Sequence, residues 1–593
     1  MLAASSTEFP AIREGEGVSL QSIKEPVQKV LAVYRGRIAS LEKQIQATSK
    51  WLGRNERLEL AHRLCFYERA IERVEGNWRG QGETGVEFAR VGHPYQEDLT
   101  ILGVGSLFEL LATTRSQVGA ERLADYLLDT PSLEMARARQ QAVRELRDQL
   151  GLREEIALLG KYRFQNCNGR NLREWLRQPI PRIVGWIPAA MAFFGGMAAL
   201  LIVLGLAEVA GWSQLGPLLG FCVGVQAVFT LALSRRVRPQ LDRLKGLALE
   251  FSVLRMGVSL VARQAFAAEI LREQAQACRQ GEAVKAIRHL ERLVIALERR
   301  EDLYLYGFSV ALGAGTQLVL AIERWRAAHA ARMEEWLDAW AEFEALNALA
   351  SYAYEHPGDA FPDLLDGDAH FEAVGLCHPL LPQESVVGNT VALNGETAFY
   401  LISGSNMAGK STLLRAMGLN AVLAGAGTTV RAASARMTVF HVCASISMVD
   451  SLLEGKSRFL AEIERVRDAV RATAGKQPVL FLLDEILSGT NSNDRRIAGE
   501  AVVQALLANG AVGALSTHDL ALTEIPASLG GQNLHMQSRS SDRPLDFDYL
   551  LKPGIACQTN ALAIVRMMGI GEETGGESEE QLPSWVRNWK AKA

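Results

Sequence analysis

The sequence predicts a protein of class α + α/β, a long-helix region carrying an apolar helical hairpin and followed by an α/β domain. Three observations carry this reading. Charged residues make up 22% of the 593, yet Glu208 is the only one between Arg182 and Arg235, where about eleven would be expected. On both sides of that gap, segments rich in Leu, Arg, Glu and Ala with few glycines have helical composition. From near Pro357 onward, short apolar runs alternate with Gly-bearing loops and helical stretches, the pattern of a layered α/β unit.

In chain order, residues 1–97 form an N-terminal helical region with a break at Gly76, Gly80, Gly82, Gly85 and Gly92. Residues 98–182 begin a helical core, 183–234 make the hairpin, and 235–356 return to long-helix material. Residues 357–570 form the α/β domain. Residues 571–593, which open GEETGGESEE, are expected to be a flexible acidic tail.

The charge balance of 63 Lys+Arg against 67 Asp+Glu gives a net charge of -4. It excludes a strongly basic nucleic-acid coat and leaves room only for a local basic patch. The seven cysteines are scattered and odd in number. They fit reduced thiols better than a disulfide framework or a zinc site. The first thirty residues carry Glu8, Glu14, Glu16 and Glu25 and no apolar core, so no cleavable secretory signal is read.

The gap in charge divides into two apolar runs, Ile183 to Ala207 and Leu215 to Ser234. Each is long enough to cross a hydrocarbon core of about 30 Å as a helix; the alternative is a pair of buried soluble helices. Arg173, Arg177 and Arg182 precede the pair, Arg235, Arg236 and Arg238 follow it, and the connection from Glu208 to Gln214 has no Lys or Arg. The positive-inside rule then puts both ends, and everything attached to them, on the cytoplasmic side of the inner membrane. A third uncharged run, Leu303 to Ile322, carries Tyr304, Tyr306, Thr316 and Gln317. As a span it would move the following domain to the far side, so it is read as a buried or re-entrant helix.

The chemistry lies in the α/β domain. The apolar strand Phe399 to Ser403 runs into Gly404, Ser405, Asn406, Met407, Ala408, Gly409, Lys410, Ser411 and Thr412, and then into helical sequence. This is G-x-x-x-x-G-K-S in the strand–loop–helix setting it requires. Glycines let backbone N–H groups curl around phosphate oxygens, and the helix N-terminus adds partial positive charge. Lys410 suits the β- and γ-phosphates of ATP, and Ser411 suits Mg2+. About seventy residues on, the apolar run Pro478 to Leu483 ends in Asp484 and Glu485. Asp484 can hold the metal shell and Glu485 can polarise the attacking water. A third strand, Ala511 to Ser516, leads to Thr517, His518 and Asp519, placing His518 for a γ-phosphate or the water.

Together these three elements resemble the ATPase of the MutS mismatch-repair family. The stretches ISGSNMAGKSTLLR, FLLDEILSGTNSND and STHDLALT are similar to its three nucleotide motifs. Ser451 to Phe459 with Glu462 resembles a further family segment, YLLKPG at 549–554 a late turn, and Asp98 to Pro131 the start of the family's helical core. The resemblance implies an ABC-type, Mg2+-dependent ATPase working as a homodimer. It places residues 404–412 on the nucleotide, Ser411 and Asp484 on the metal, and Lys410, Glu485 and His518 in catalysis. Ser457 would reach the partner's nucleotide in trans, with a helix cap as its alternative reading, and Ser488 to Asn493 would lie at the dimer interface. DNA as a partner rests on the resemblance alone.

The departures matter as well. The first 97 residues hold no Gly-x-Phe-x-Glu segment and are too few for the family's mismatch-reading domain and connector. The apolar hairpin sits where the lever helices would begin. The chain therefore looks like a membrane-spanning branch of the family that lacks the N-terminal mismatch-recognition domain. Two functions follow: a membrane-anchored repair-related ATPase binding mismatched or branched DNA, or a membrane-tethered signalling or mechanical ATPase with no DNA role. An ABC transporter half fits less well, because two spans make too small a pathway and no LSGGQ-type segment precedes Leu480.

Overall fold

A computed structural model describes residues 20–48, 54–159, 169–178, 186–244, 247–279, 283–299, 313–405, 407–446, 458–488, 491–540 and 543–556. The acidic tail lies outside these residues.

Among the described residues the chain begins with α1 (Leu20–Thr48) and α2 (Arg54–Glu75), which pack together through Tyr34, Tyr67 and Ala70. After the glycine-bearing stretch come α3 (Leu107–Leu111), α4 (Gln117–Leu128), α5 (Leu133–Arg147), α6 (Leu150–Ala157) and α7 (Gly169–Arg177). Three of these start on serine caps. Ser106, Ser116 and Ser132 accept hydrogen bonds from the backbone N–H groups of Glu109, Gly119 and Met135, satisfying donors that have no partner inside the helix.

The two apolar runs form α8 (Trp186–Leu206) and α9 (Trp212–Leu244). They pack on each other through Ala198, Leu201, Leu215 and Cys222. At the turn, Gly205 lets the Trp212 ring lie against the α8 backbone; a Cβ there would stand 2.6 Å from the ring. α9 continues beyond the end of the apolar run, through Pro239 to Leu244. Leu and Arg both favour helix, so the return of charge marks the end of the apolar surface and not of the helix.

α10 (Leu247–Arg263), α11 (Glu269–Arg279) and α12 (Ala283–Arg299) lead to α13 (Ala314–Glu355), a helix of 42 residues. At 1.5 Å per residue it is about 63 Å long. The described part of the third uncharged run, from Gly313 on, forms its first turns, with Thr316, Val319, Leu320 and Ile322 buried. α13 also carries buried acids that serve other elements. Glu344 accepts from the N–H groups of Arg115 and Ser116 and from the Ser116 hydroxyl, at the N-terminus of α4. Negative charge is favourable at that end of a helix. Gly119 leaves room for Glu344, since a Cβ would come within 2.4 Å of it.

Beyond α13 the strands are β1 (Asp363–Leu365), β2 (Phe371–Leu376), β3 (Asn389–Leu393) and β4 (Phe399–Ser403), followed by α14 (Lys410–Ala426). Then come β5 (Ser434–Thr438), β6 (His441–Ser445), α15 (Arg458–Ala472), β7 (Val479–Asp484), α16 (Ser492–Leu507) and β8 (Val512–Thr517). α17 (Ile525–Leu529), β9 (Gln532–His535), β10 (Ser538–Ser540), β11 (Arg543–Phe547) and β12 (Lys552–Pro553) complete the described part. The main sheet has six strands in the order β12-β9-β4-β8-β7-β6, with only the β12–β9 pair antiparallel. β4 and β8 are buried at every position, which explains why each lacks charge and turns polar only at its closing Ser or Thr residues. A second sheet, β1-β5-β2-β3, and the β10–β11 hairpin flank it.

Candidate nucleotide site

The sheet order brings the sequence motifs together. β8 lies between β4 and β7, so the glycine loop, His518 and the acidic pair leave the carboxyl ends of three neighbouring strands. In α/β sheets that edge is where ligands bind.

Gly404 ends β4 with φ +143°, and a Cβ there would stand 2.2 Å from the Met536 carbonyl oxygen, so only glycine fits. Gly409, at φ +100°, caps α14. Lys410 is buried and its Nζ donates to the carbonyl oxygens of Gly404 and Ser405 at 2.8 and 2.9 Å. Burial holds the ammonium below the usual lysine range, with Asp484 and Glu485 acting in the opposite direction. Ala408 is buried, Ser411 is half-buried, and Met407 and Thr412 are exposed. Asn406 and Ser457 lie outside the described residues; Ser457 immediately precedes α15.

Asp484 is the last residue of β7 and accepts from the Ser516 hydroxyl on β8. Glu485 has φ +50°, unusual for a side-chain-bearing residue. Its N–H donates to the Ser516 carbonyl at 3.1 Å, and its Oε1 is 3.3 Å from His518 Nδ1. The turn after it is fastened from two sides. Glu462 on α15 accepts from the Leu487 N–H. Arg495 on α16 donates to the carbonyls of Leu487 and Ser488 at 3.0 Å and pairs with Asp519 at 3.3 Å. Of the expected interface loop, Gly489 and Thr490 lie outside the described residues.

Some neighbours were not legible in the motifs. A cavity of about 330 Å3 opens beside Gly409 and Thr412, lined by His378, Val386, Val387, Leu413 and Tyr549 among others. Burial, then the charges of Arg415, Arg431 and Arg79, push His378 down to about 4, leaving it neutral near pH 7. Asp98, from the helical core, is buried under the domain. It accepts from the Ile446 N–H at 2.8 Å and from Arg465 at 2.7 Å. Ile446 and Arg465 flank the segment that contains Ser457. Ser516 is written in STHD, but its bond to Asp484 needs the strand order to be known.

The fold and the loop define the class: an α/β domain whose glycine loop joins a central parallel strand to a helix, with an acidic pair two strands away from the loop. Residues 400–583 match the family model of MutS domain V. The chain is 32% identical over 212 residues to the "DNA mismatch repair protein MutS" of Lactobacillus delbrueckii subsp. bulgaricus, covering 35% of this chain and 24% of that protein. It is 29% identical over 308 residues to the "DNA mismatch repair protein MutS 2" of Halobacterium salinarum, covering 50% and 35%. With the "Endonuclease MutS2" of Thermus thermophilus it shares 33% over 219 residues, covering 37% and 29%. The matched part spans only about a quarter to a third of these curated relatives.

Proposed function

We propose that the chain is a membrane-anchored, MutS-like ABC-type ATPase that hydrolyses ATP with Mg2+ as a homodimer and binds mismatched or branched DNA in a repair-related role. The observation that supports it most is the convergence of Lys410, Asp484 and the Glu485–His518 pair at one sheet edge.

The residues fit a nucleotide. The loop sits at the N-terminus of a 17-residue helix, and the Ser405 Oγ is buried without a hydrogen-bond partner. Residues 404–412 would hold the phosphates, with Lys410 exchanging its two carbonyl partners for phosphate oxygens. The cavity lined by His378, Val386 and Tyr549 suits the nucleoside. Ser411 and Asp484 are hard oxygen donors of the kind Mg2+ takes; when bound, the ion polarises phosphate oxygens. Ser516 fixes the Asp484 carboxylate. Glu485 Oε1 takes the proton of the hydrolytic water, and His518 Nδ1 orients that carboxylate. Ser457 completes the partner's site in trans.

The membrane part of the proposal is supported by surface chemistry. Phe193, Leu200, Val203 and Leu206 on α8, and Leu218, Phe221, Val228 and Leu231 on α9, are all exposed. Less than a third of either apolar window is buried. An apolar surface this continuous is what lipid covers. Both ends, with the ATPase, would be cytoplasmic. Replacing 186–233 by a short polar linker should move the protein from membrane pellets to the soluble fraction; unchanged sedimentation would remove the anchor.

One observation favours the second reading, an ATPase with no DNA role. Arginines of the helical region are neutralised by acids: Arg173 by Asp338, Arg177 by Glu334, and Arg255 by Glu291, at 2.9, 3.0 and 2.6 Å. Titration of the detergent-solubilised protein with homoduplex, mismatched and branched DNA over a salt series decides between them. Affinity falling steeply with salt supports DNA, because phosphate contacts release counterions; absence of binding supports the second reading.

A further inference from the structure

Away from the nucleotide site, a cavity of about 280 Å3 opens where α2, α6 and α13 meet the loops at 81–83 and 112–115. Its wall is unusually polar for the inside of a helical core. Four arginines line it, Arg69, Arg73, Arg115 and Arg153. Arg73 makes a two-pronged pair with Glu355, the last residue of α13. Arg153 is held differently. It is 3% exposed, and its Nη1 donates to the carbonyls of Leu146 and Arg147 at 3.0 and 2.6 Å. Its guanidinium lies over the Tyr354 ring, 4.5 Å from the centroid. Its Nη2 is buried and has no hydrogen-bond partner.

Other orphaned atoms gather on the same wall. Asn347 Oδ1 and Glu83 Oε1 are buried acceptors without partners, and the hydroxyls of Thr113 and Thr114 are unpartnered too. Asn347 is 4% exposed. A buried polar group without a partner costs about 1–3 kcal/mol, and native proteins keep few of them. Several around one cavity describe a surface shaped for something polar. The open donor of Arg153 calls for an anion, and planar forks of donors match phosphate. The acceptors on Asn347 and Glu83 call for hydroxyl donors on the same molecule. The volume lies at the small end of ligand sites.

We propose that this cavity is a second binding site, distinct from the nucleotide site, for a small phosphate monoester that also carries hydroxyl groups. The phosphate sits on Arg153, beside Arg115, and the hydroxyls on Asn347 and Glu83. The ligand would join α2 to α13, the helix that leads directly into the α/β domain.

The test uses the full chain in detergent, with the Lys410→Ala substitution so that phosphate bound by the glycine loop does not contribute. Glucose 6-phosphate, inorganic phosphate and glucose are titrated by calorimetry. The expected result is one glucose 6-phosphate per chain, bound at least tenfold more tightly than inorganic phosphate, with no binding of glucose. Arg153→Met should weaken glucose 6-phosphate at least tenfold. Because Arg153 also holds two carbonyls, Glu83→Gln provides a second variant that keeps the side chain's shape. At pH 8, above the value of about 7 to which burial raises the Glu83 carboxyl, removing this negative charge should tighten the phosphate ester several-fold. A cavity that takes up neither phosphate compound at about 10 mM, roughly the weakest useful affinity for such a site, holds water only, and the proposal fails. Inorganic phosphate binding as tightly as the ester overturns the role of Asn347 and Glu83. Binding unaffected by Arg153→Met, or weakened by Glu83→Gln, overturns the placement of the phosphate.

Discussion

The α/β domain and the apolar hairpin are built on opposite uses of side chains. In the domain, polar atoms are fixed one by one: Lys410 on two carbonyls, Asp484 on Ser516, the turn after Glu485 on Glu462 and Arg495. In the hairpin, side chains are mostly interchangeable, and apolar groups face outward along both helices. A single atom decides the first kind of region, whereas total apolar area decides the second. Among the described residues the hairpin carries a specific polar tie. Buried Gln226 on α9 donates to the Met191 carbonyl of α8 at 2.5 Å, and Gln317 on α13 donates to the same oxygen at 3.3 Å. That oxygen joins the hairpin to the long helix that ends at the α/β domain.

This difference can be broken at either end. The largest effect is expected from putting charge on the outward hairpin surface. For the membrane anchor proposed above, Leu200→Arg with Phe221→Arg should cost about 5–7 kcal/mol of insertion, seen as loss of flotation with vesicles. Either arginine alone should give a partial loss, as expected when area and not one contact is responsible. In the α/β domain one atom should suffice: Lys410→Ala should lower ATP turnover by about 100-fold or more, while leaving flotation unchanged. Turnover within a few-fold of the parent would remove the glycine loop from the account.

The link between helical core and α/β domain can be tested at Asp98. Asp98→Ala leaves the Ile446 N–H and Arg465 without their shared partner. It should cost about 2 kcal/mol in urea denaturation, less than a fully buried pair because Arg465 is partly exposed. The smallest expected effect is on pH dependence. Burial, opposed by hydrogen bonds from Ser116 and Arg115, raises the Glu344 carboxyl to about 7. The folded state therefore binds this proton more tightly than the unfolded state does. Its contribution to stability is complete below the unfolded value near 4.5 and is lost as pH rises toward 7. Between about pH 5 and 7.5 the parent should lose about 1–3 kcal/mol from this group. Glu344→Gln should flatten that part of the urea-midpoint profile; an unchanged profile would contradict the assignment.

The two regions also differed in how readily they could be read from sequence. Phe399 to Ser403 is the strand expected, Asp484 ends its strand, and Lys410 opens its helix, because spacing in G-x-x-x-x-G-K-S is fixed by the ligand it serves. The hairpin's first helix was legible from composition alone. The extension of α9 to Leu244 was not, because helix propensity continues across the change from apolar to charged residues. Contacts between distant segments were also hidden. The bond from Ser516 to Asp484 depends on β8 lying between β4 and β7. The cavity around Arg153 depends on separate segments meeting, and no local pattern records that.

The most direct measurement is steady-state ATP hydrolysis by the detergent-solubilised Glu485→Gln protein, alongside its nucleotide binding and its oligomeric state. If Glu485 receives the proton from the attacking water, turnover should fall by about 100-fold or more. ATP should still bind, and the protein should accumulate as an ATP-loaded dimer. Turnover like the parent's, with ATP bound normally, would contradict the catalytic site proposed for this chain.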